Sequence, residues 1–229
     1  MPRAKSGALA TTCSDRAADV PGFARLWRRI AAYAAHDDPR TAAANWIALV
    51  VAWNQPFYPL YLWAVVGADK VAPSFLTFLS TPFFVVIPAV ARRYPFAGRL
   101  MLPLTGIANG ILSTKAFGIG SGVEIFLVPC ALIGAALFRP SERPIGLVVI
   151  ALSAAAYFIP EHLFGQPLAY YSAADNNGMV GLNSLSAATL IVFIGFLLSG
   201  AVAASEERGI RRRAENSGSA ESQEPPIPR

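Results

Sequence analysis

Residues 41–68, TAAANWIALVVAWNQPFYPLYLWAVVGA, contain no charged side chain, and the reading of the whole chain turns on that stretch. A bilayer core about 30 Å thick takes roughly 20 apolar helical residues per crossing, so the run is long enough to cross once. A second follows at 71–91, VAPSFLTFLSTPFFVVIPAVA. Between residues 100 and 138 the only charges are Lys115 and Glu124. That segment predicts two helices joined by the turn GIGSG at 118–122, whose glycine backbone permits a sharp reversal. Residues 144–160, PIGLVVIALSAAAYFIP, predict a fifth helix, and 182–204, inside the uncharged run 176–205, a sixth. The expected fold class is all-α: a polytopic membrane bundle of six transmembrane helices over residues 41–205.

Charge placement orients this bundle, because cytoplasmic loops retain lysine and arginine. With both termini inside, all but Lys70 and Lys115 of the 19 basic residues fall on the cytoplasmic side. Arg92, Arg93 and Arg99 lie between spans two and three, and Arg139 and Arg143 between four and five. Arg208, Arg211, Arg212 and Arg213 follow span six. The net charge of +5 therefore reports topology rather than nucleic-acid binding. Composition agrees, since 54% of the 229 residues are hydrophobic and 14% charged, against roughly a quarter charged in an average soluble domain.

Two polar tails flank the bundle. Residues 1–20 lack the apolar run of about 7–15 residues that a secretory signal needs, so residues 1–40 are expected to stay in the cytoplasm. Within that tail, 21–36 place Phe23, Leu26, Trp27, Ile30 and Ala34 at helical spacing with Arg25, Arg28 and Arg29 beside them. The pattern suits an amphipathic helix in the cytoplasmic headgroup layer, with the arginines on anionic lipid. Packing of the same face against a partner protein is the alternative. Residues 206–229 are expected to be a short disordered tail. Outside the membrane, 161–181 form the longest loop and hold no basic residue.

Polar residues within apolar runs are functional candidates. Lys115 and Glu124 flank the external turn, where opposite charges on antiparallel helix ends can pair. Alternatively, Glu124 faces a water-filled cavity and takes up a proton or cation. Asn109 lies in GIANG, where Gly106 and Gly110 form a GxxxG that permits close helix approach. Asn54, Gln55 and Pro56 interrupt span one, and the proline frees the carbonyl of Ala52. A structural kink is one use of this site and a bound polar molecule the other. Asn183, Ser184 and Ser186 open span six, where capping and interhelical hydrogen bonds account for them.

Chemistry finds few footholds. HExxH, CxxC, P-loop and GxGxxG motifs are absent, and Ser121 in GIGSG fits no nucleophile elbow. His36 and His162 fall on opposite sides of the membrane and cannot share a metal. Cys13 and Cys130, one in the tail and one in the bilayer, cannot pair. No catalytic residue, metal or cofactor is expected.

From Leu104 onward, the run PLTGIANGILSTKAFGIGSGVEIFLVPCALIGAALFRPSERP, followed by LNSLSAATLIVFIGF, resembles the six-helix membrane sensor (MASE-like) domain of bacterial adenylate cyclases and related signalling proteins. The features carrying the resemblance are Asn109, Lys115, Gly122-Val123-Glu124, Pro129-Cys130, Leu137-Phe138-Arg139 with Glu142-Arg143, and Leu182-Asn183. It covers about residues 25–205. The resemblance implies a sensor-type module of the bacterial inner membrane. It does not imply cyclase activity, because residues after 205 contain no heptads and no catalytic domain. Signal output is then expected to pass through a separate cytoplasmic signalling protein, with membrane lipid and a second copy of the chain as further partners. A small transporter or channel is the rival reading, motivated by the prolines within the spans and by Glu124. An intramembrane enzyme would need a nucleophile and base that the sequence does not offer.

Overall fold

The computed structural model describes residues 22–159 and 161–221. The expectations for residues 1–21, including Cys13, and for 222–229 lie outside the described residues. Among the described residues the chain is all-α, with no strand. Helix α1 (Gly22–Ala34) belongs to a unit of its own ending at Tyr33, and the bundle begins at Ala34.

Helix α2 (Pro39–Asn54) starts where local chemistry says it should. The Asp38 carboxylate accepts from the Arg40 N–H, and Pro39 occupies the first helical position, where its missing N–H costs nothing. At Pro56 the α-helical ladder breaks into a 3-10 turn, Gln55–Phe57, before α3 (Tyr58–Val66) resumes. The expected irregularity at this proline is therefore present. Gly67, with φ 88°, ends α3.

A nine-residue 3-10 segment, Ala72–Ser80, leads into α4 (Thr81–Arg93). Such long 3-10 runs are uncommon, and here the sequence supplies a reason. Ser74, Thr77 and Ser80 recur every third residue, and each hydroxyl donates to the carbonyl three residues back, on Val71, Ser74 and Thr77, at 2.6, 2.8 and 2.8 Å. Three residues per turn stack these hydroxyls on one face, and all three residues are buried.

Helix α5 (Pro95–Phe117) turns into α6 (Leu127–Ala136) through Gly118 and Gly122, whose φ values of 80° and 65° realise the reversal expected at GIGSG. The GxxxG on α5 admits α6 closely. A Cβ on Gly106 would meet the Cys130 sulfur at 2.6 Å, and one on Gly110 would meet Leu127 at 3.1 Å. Helices α7 (Arg143–Tyr157), α8 (Glu161–Phe164) and α9 (Ala173–Glu221) complete the order. Helix α9 corrects two expectations. It begins within the expected external loop, and its backbone stays helical through Glu221, where a disordered tail was expected from 206.

Two helical segments, Ala72–Arg93 and Ala173–Arg211, are long and apolar enough to cross a membrane. The other expected spans are interrupted or short. Asn54 and Gln55 dilute the stretch from α2 to α3, Arg99, Asn109 and Lys115 dilute α5, and Val123–Ala136 and α7 are shorter helices.

Candidate functional site

Three groups of polar side chains lie within the bundle. The first is at mid-length, where α2, the 3-10 segment and α5 meet. The Gln55 amide donates to Ser80 Oγ at 2.6 Å while its carbonyl oxygen accepts from Thr81 Oγ1 at 2.7 Å. Ser80 Oγ lies 2.9 Å from Asn109 Oδ1 and 2.8 Å from the Thr77 carbonyl, and its single proton serves one of the two at a time. Gln55 and Asn109, separate candidates in the sequence, are thus joined through a serine the sequence did not single out. Asn54 and Pro56 are exposed and stand outside this network.

Beside the network lies a cavity of about 650 Å³. Its walls come from α2, α3, α4, α5, α6, α9 and the 3-10 segments beside them, and Asn54, Gln55, Tyr58, Tyr61, Thr77, Asn109, Ser113, Ser186 and Thr189 supply the polar part of an otherwise apolar lining. None of the lining residues is charged. A second buried link closes the bundle nearby: the Tyr58 hydroxyl donates to Asn183 Oδ1 at 3.1 Å, and the Asn183 amide donates to the Ser121 carbonyl at 2.9 Å. The interhelical role expected of Asn183 is what this geometry provides.

The second group occupies the arginine-rich end. Arg99, only 1% exposed, donates from Nη1 to Asp38 Oδ2 at 2.6 Å and to Thr41 Oγ1 at 3.0 Å. From Nη2 it reaches both Glu142 oxygens at 2.6 and 2.8 Å. Arg139 adds a contact to Asp38 at 3.1 Å, and its N–H donates to Glu142 at 2.9 Å. Arg40 donates to the Phe138 carbonyl at 2.6 Å, and Arg208 of α9 donates to the Asp37 carbonyl. Burial alone would raise the pKa of Asp38, but hydrogen bonds from Thr41 and Arg139, with the charges of Arg139 and Arg99, hold it below the usual aspartate value.

The sequence counted Arg99 among loop arginines and missed this cluster. A signal existed: Asp38 and Glu142 are rare acids set among basic loops, and a carboxylate beside several arginines there invites an ion pair.

The third group, at the opposite end, corrects the expected pairing of Lys115 with Glu124. Lys115 Nζ donates to the backbone carbonyls of Phe164, at the end of α8, and of Gln166, just beyond it, both at 2.8 Å. Glu124 Oε2 is buried without a hydrogen-bond partner. Nor does Glu124 line the cavity. Lys70 pairs with Asp175 at 2.6 Å, which holds its ammonium above the usual lysine value, and the Tyr171 hydroxyl donates to the Lys70 carbonyl. The start of α9 and the segment before it are therefore fastened to the loop after α3 and to α5.

On α1, Arg25, Arg28 and Arg29 are exposed together with the apolar Phe23, Leu26 and Trp27, and Phe23 is 78% exposed. Among the described residues no group of His, Cys, Asp and Glu could hold a metal ion, and Cys130 is a buried free thiol.

Fold and site together define an all-α bundle with an uncharged cavity of mixed polarity at its middle and an ionic cluster at one end. No protein-family model matches the chain, and no curated protein is significantly similar to it.

Proposed function

We propose that this chain is a six-span membrane protein of signal-input type in a bacterial inner membrane, non-enzymatic, with both termini in the cytoplasm. The observation that carries the reading is that one helix, α5, bears both a wall of the cavity, at Asn109 and Ser113, and the buried Arg99 that ties the arginine-rich end together. A ligand favouring one packing around the cavity would shift α5, and Arg99 would pass that shift to the starts of α2 and α7. A separate cytoplasmic protein would read those ends. The residues that carry the sensor-domain resemblance support this: Asn109, Lys115, Arg139, Glu142 and Asn183 each make a tertiary contact rather than idle on the surface. The transporter reading loses its cation carrier, since Glu124 stands apart from the uncharged cavity. With its arginines and aromatic side chains exposed, α1 suits the cytoplasmic headgroup layer.

Two measurements test the reading. In a variant with both native cysteines replaced by serine, an impermeant maleimide applied to intact cells should label Tyr170→Cys and spare Ser141→Cys. Co-reconstitution with cytoplasmic signalling enzymes that co-purify with the chain should change the activity of one of them, and Arg99→Met combined with Asp38→Asn and Glu142→Gln should abolish the change while the bundle still melts cooperatively. Solute or ion flux above that of empty vesicles, with no effect on the enzyme, would replace the sensor by the transporter.

A further inference from the structure

The cavity carries more information than its existence. Its volume of about 650 Å³ lies within the roughly 300–1,000 Å³ of small-molecule sites. A charged ligand would find no counter-ion, because no Asp, Glu, Lys, Arg or His lines it, and a buried charge without a partner is strongly disfavoured. Apolar atoms make most of the wall, so most of the ligand's surface must be apolar as well.

The polar part of the wall is not fully used by the protein. The Asn109 amide lies against Ser80 Oγ at 2.9 Å, which engages one of its ends and leaves the rest of the group facing the cavity that Asn109 lines. Ser113, one helical turn further along α5, is 3% exposed, and its hydroxyl lacks a partner among the described residues. Ser186 faces the same space from α9. Buried polar groups in proteins are hydrogen-bonded as a rule, so the buried Ser113 hydroxyl, set between the half-buried Asn109 and Ser186 on the cavity wall, is a binding feature. Amide and hydroxyl groups on one wall suit a ligand oxygen.

The rim shows where such a ligand would enter. Trp53, on α2, and Leu185, on α9, both line the cavity and yet are 71% and 69% exposed. Both belong to stretches read above as membrane-spanning, so the opening between them faces lipid rather than water. The geometry points to a binding site for an uncharged, lipid-like amphiphile, such as a long-chain alcohol or isoprenoid, that enters from the bilayer and sets its oxygen against Asn109 and Ser113. Entry from the bilayer rests on the membrane-spanning reading of α2 and α9, and the ligand's role as the input signal rests on the sensor reading.

The full chain in vesicles of phosphatidylethanolamine and phosphatidylglycerol, photolabelled with a diazirine-bearing hexadecanol, provides the test. Labelling should saturate, concentrate on α5, α6 and α9 around the cavity, and be displaced by unlabelled hexadecanol. Ser186→Leu, which pushes an apolar side chain into the cavity opposite Ser113, should cut the saturable part severalfold. Ser113→Ala, which keeps the shape, should weaken it about fivefold, the equivalent of one hydrogen bond. Labelling spread without saturation over all lipid-facing helices, and unchanged in both variants while they melt like the parent, would overturn the site. Equal displacement by hexadecanoate would overturn the uncharged head group. Saturable binding that leaves the partner enzyme's activity untouched would instead defeat the sensor reading and leave the site standing.

Discussion

The two ends of the bundle handle charge in opposite ways. At the arginine-rich end a fully buried cation, Arg99, is matched by two carboxylates from segments far away in sequence, Asp38 and Glu142. At the other end the lysine and glutamate nearest each other in sequence do not meet. Lys115 satisfies itself on two backbone carbonyls, and Glu124 keeps one oxygen without a partner. Opposite charge and sequence proximity are thus a poor guide to pairing. For the cations burial is the better one, because a buried guanidinium must find anions whereas an ammonium near the surface can use any acceptor.

Breaking the first end should have the largest effect. Arg99→Ala strands two carboxylates and should destabilise the bundle by about 3–5 kcal/mol, read as lowered thermal stability in detergent. Arg99→Met combined with Asp38→Asn and Glu142→Gln should recover much of that loss, and failure to recover would mean that packing rather than charge is at stake. Lys115→Met comes next, at about 1.5–3 kcal/mol for charge-assisted hydrogen bonds. Its signature should be faster amide exchange in residues 165–172 with little change at Asp38. Unchanged exchange there would remove Lys115 as the fastener of that segment.

Acid should sharpen the contrast. The Asp38 carboxyl is held below its unfolded value, so its contribution to stability is complete above the ordinary aspartate pKa of about 3.9. That contribution is lost as pH falls through the lower, folded value. Melting temperature followed downward from pH 5 should therefore fall more steeply in the parent than in Asp38→Asn. Equal slopes would take Asp38 out of the cluster. Least of all should be the coupling between Lys115 and Glu124: a double-mutant cycle should return close to zero, within about 0.5 kcal/mol, while one between Arg99 and Glu142 should exceed about 1 kcal/mol. A large coupling in the first cycle would restore the pair that the sequence suggested.

Much of the architecture was legible because its causes are local. Charge-free runs became helical segments, Pro56 broke its helix, Gly118 and Gly122 turned the chain, and Gly106 and Gly110 let α6 approach. The repeat of Ser74, Thr77 and Ser80 was also local and readable, yet a period of three inside an apolar run passes easily for part of an ordinary helix. Helix α9 overran its expected limits because polar composition at 206–221 argues for solvation and does not itself stop helical hydrogen bonding.

The candidate site was legible only in its members. Gln55 and Asn109 were visible as polar residues among apolar ones, but Ser80 joins them because α2, the 3-10 segment and α5 converge. Asn54, adjacent in sequence to Gln55, lines the cavity but stays outside the hydrogen-bond network, since neighbouring residues on a helix are about 100° apart.

By itself, then, the sequence determined where the helices lie, where they turn, and that arginines gather in one set of loops and lysines in another. Hydrophobicity, proline, glycine and charge act through the residue that carries them or its near neighbours. Only the tertiary structure decided the partners: Arg99 with Asp38 and Glu142, Lys115 with two carbonyls, Asn109 and Ser113 with an open cavity. Partners 61 and 43 residues apart in the chain are brought within hydrogen-bond reach only by packing, and no local property of either residue encodes that distance.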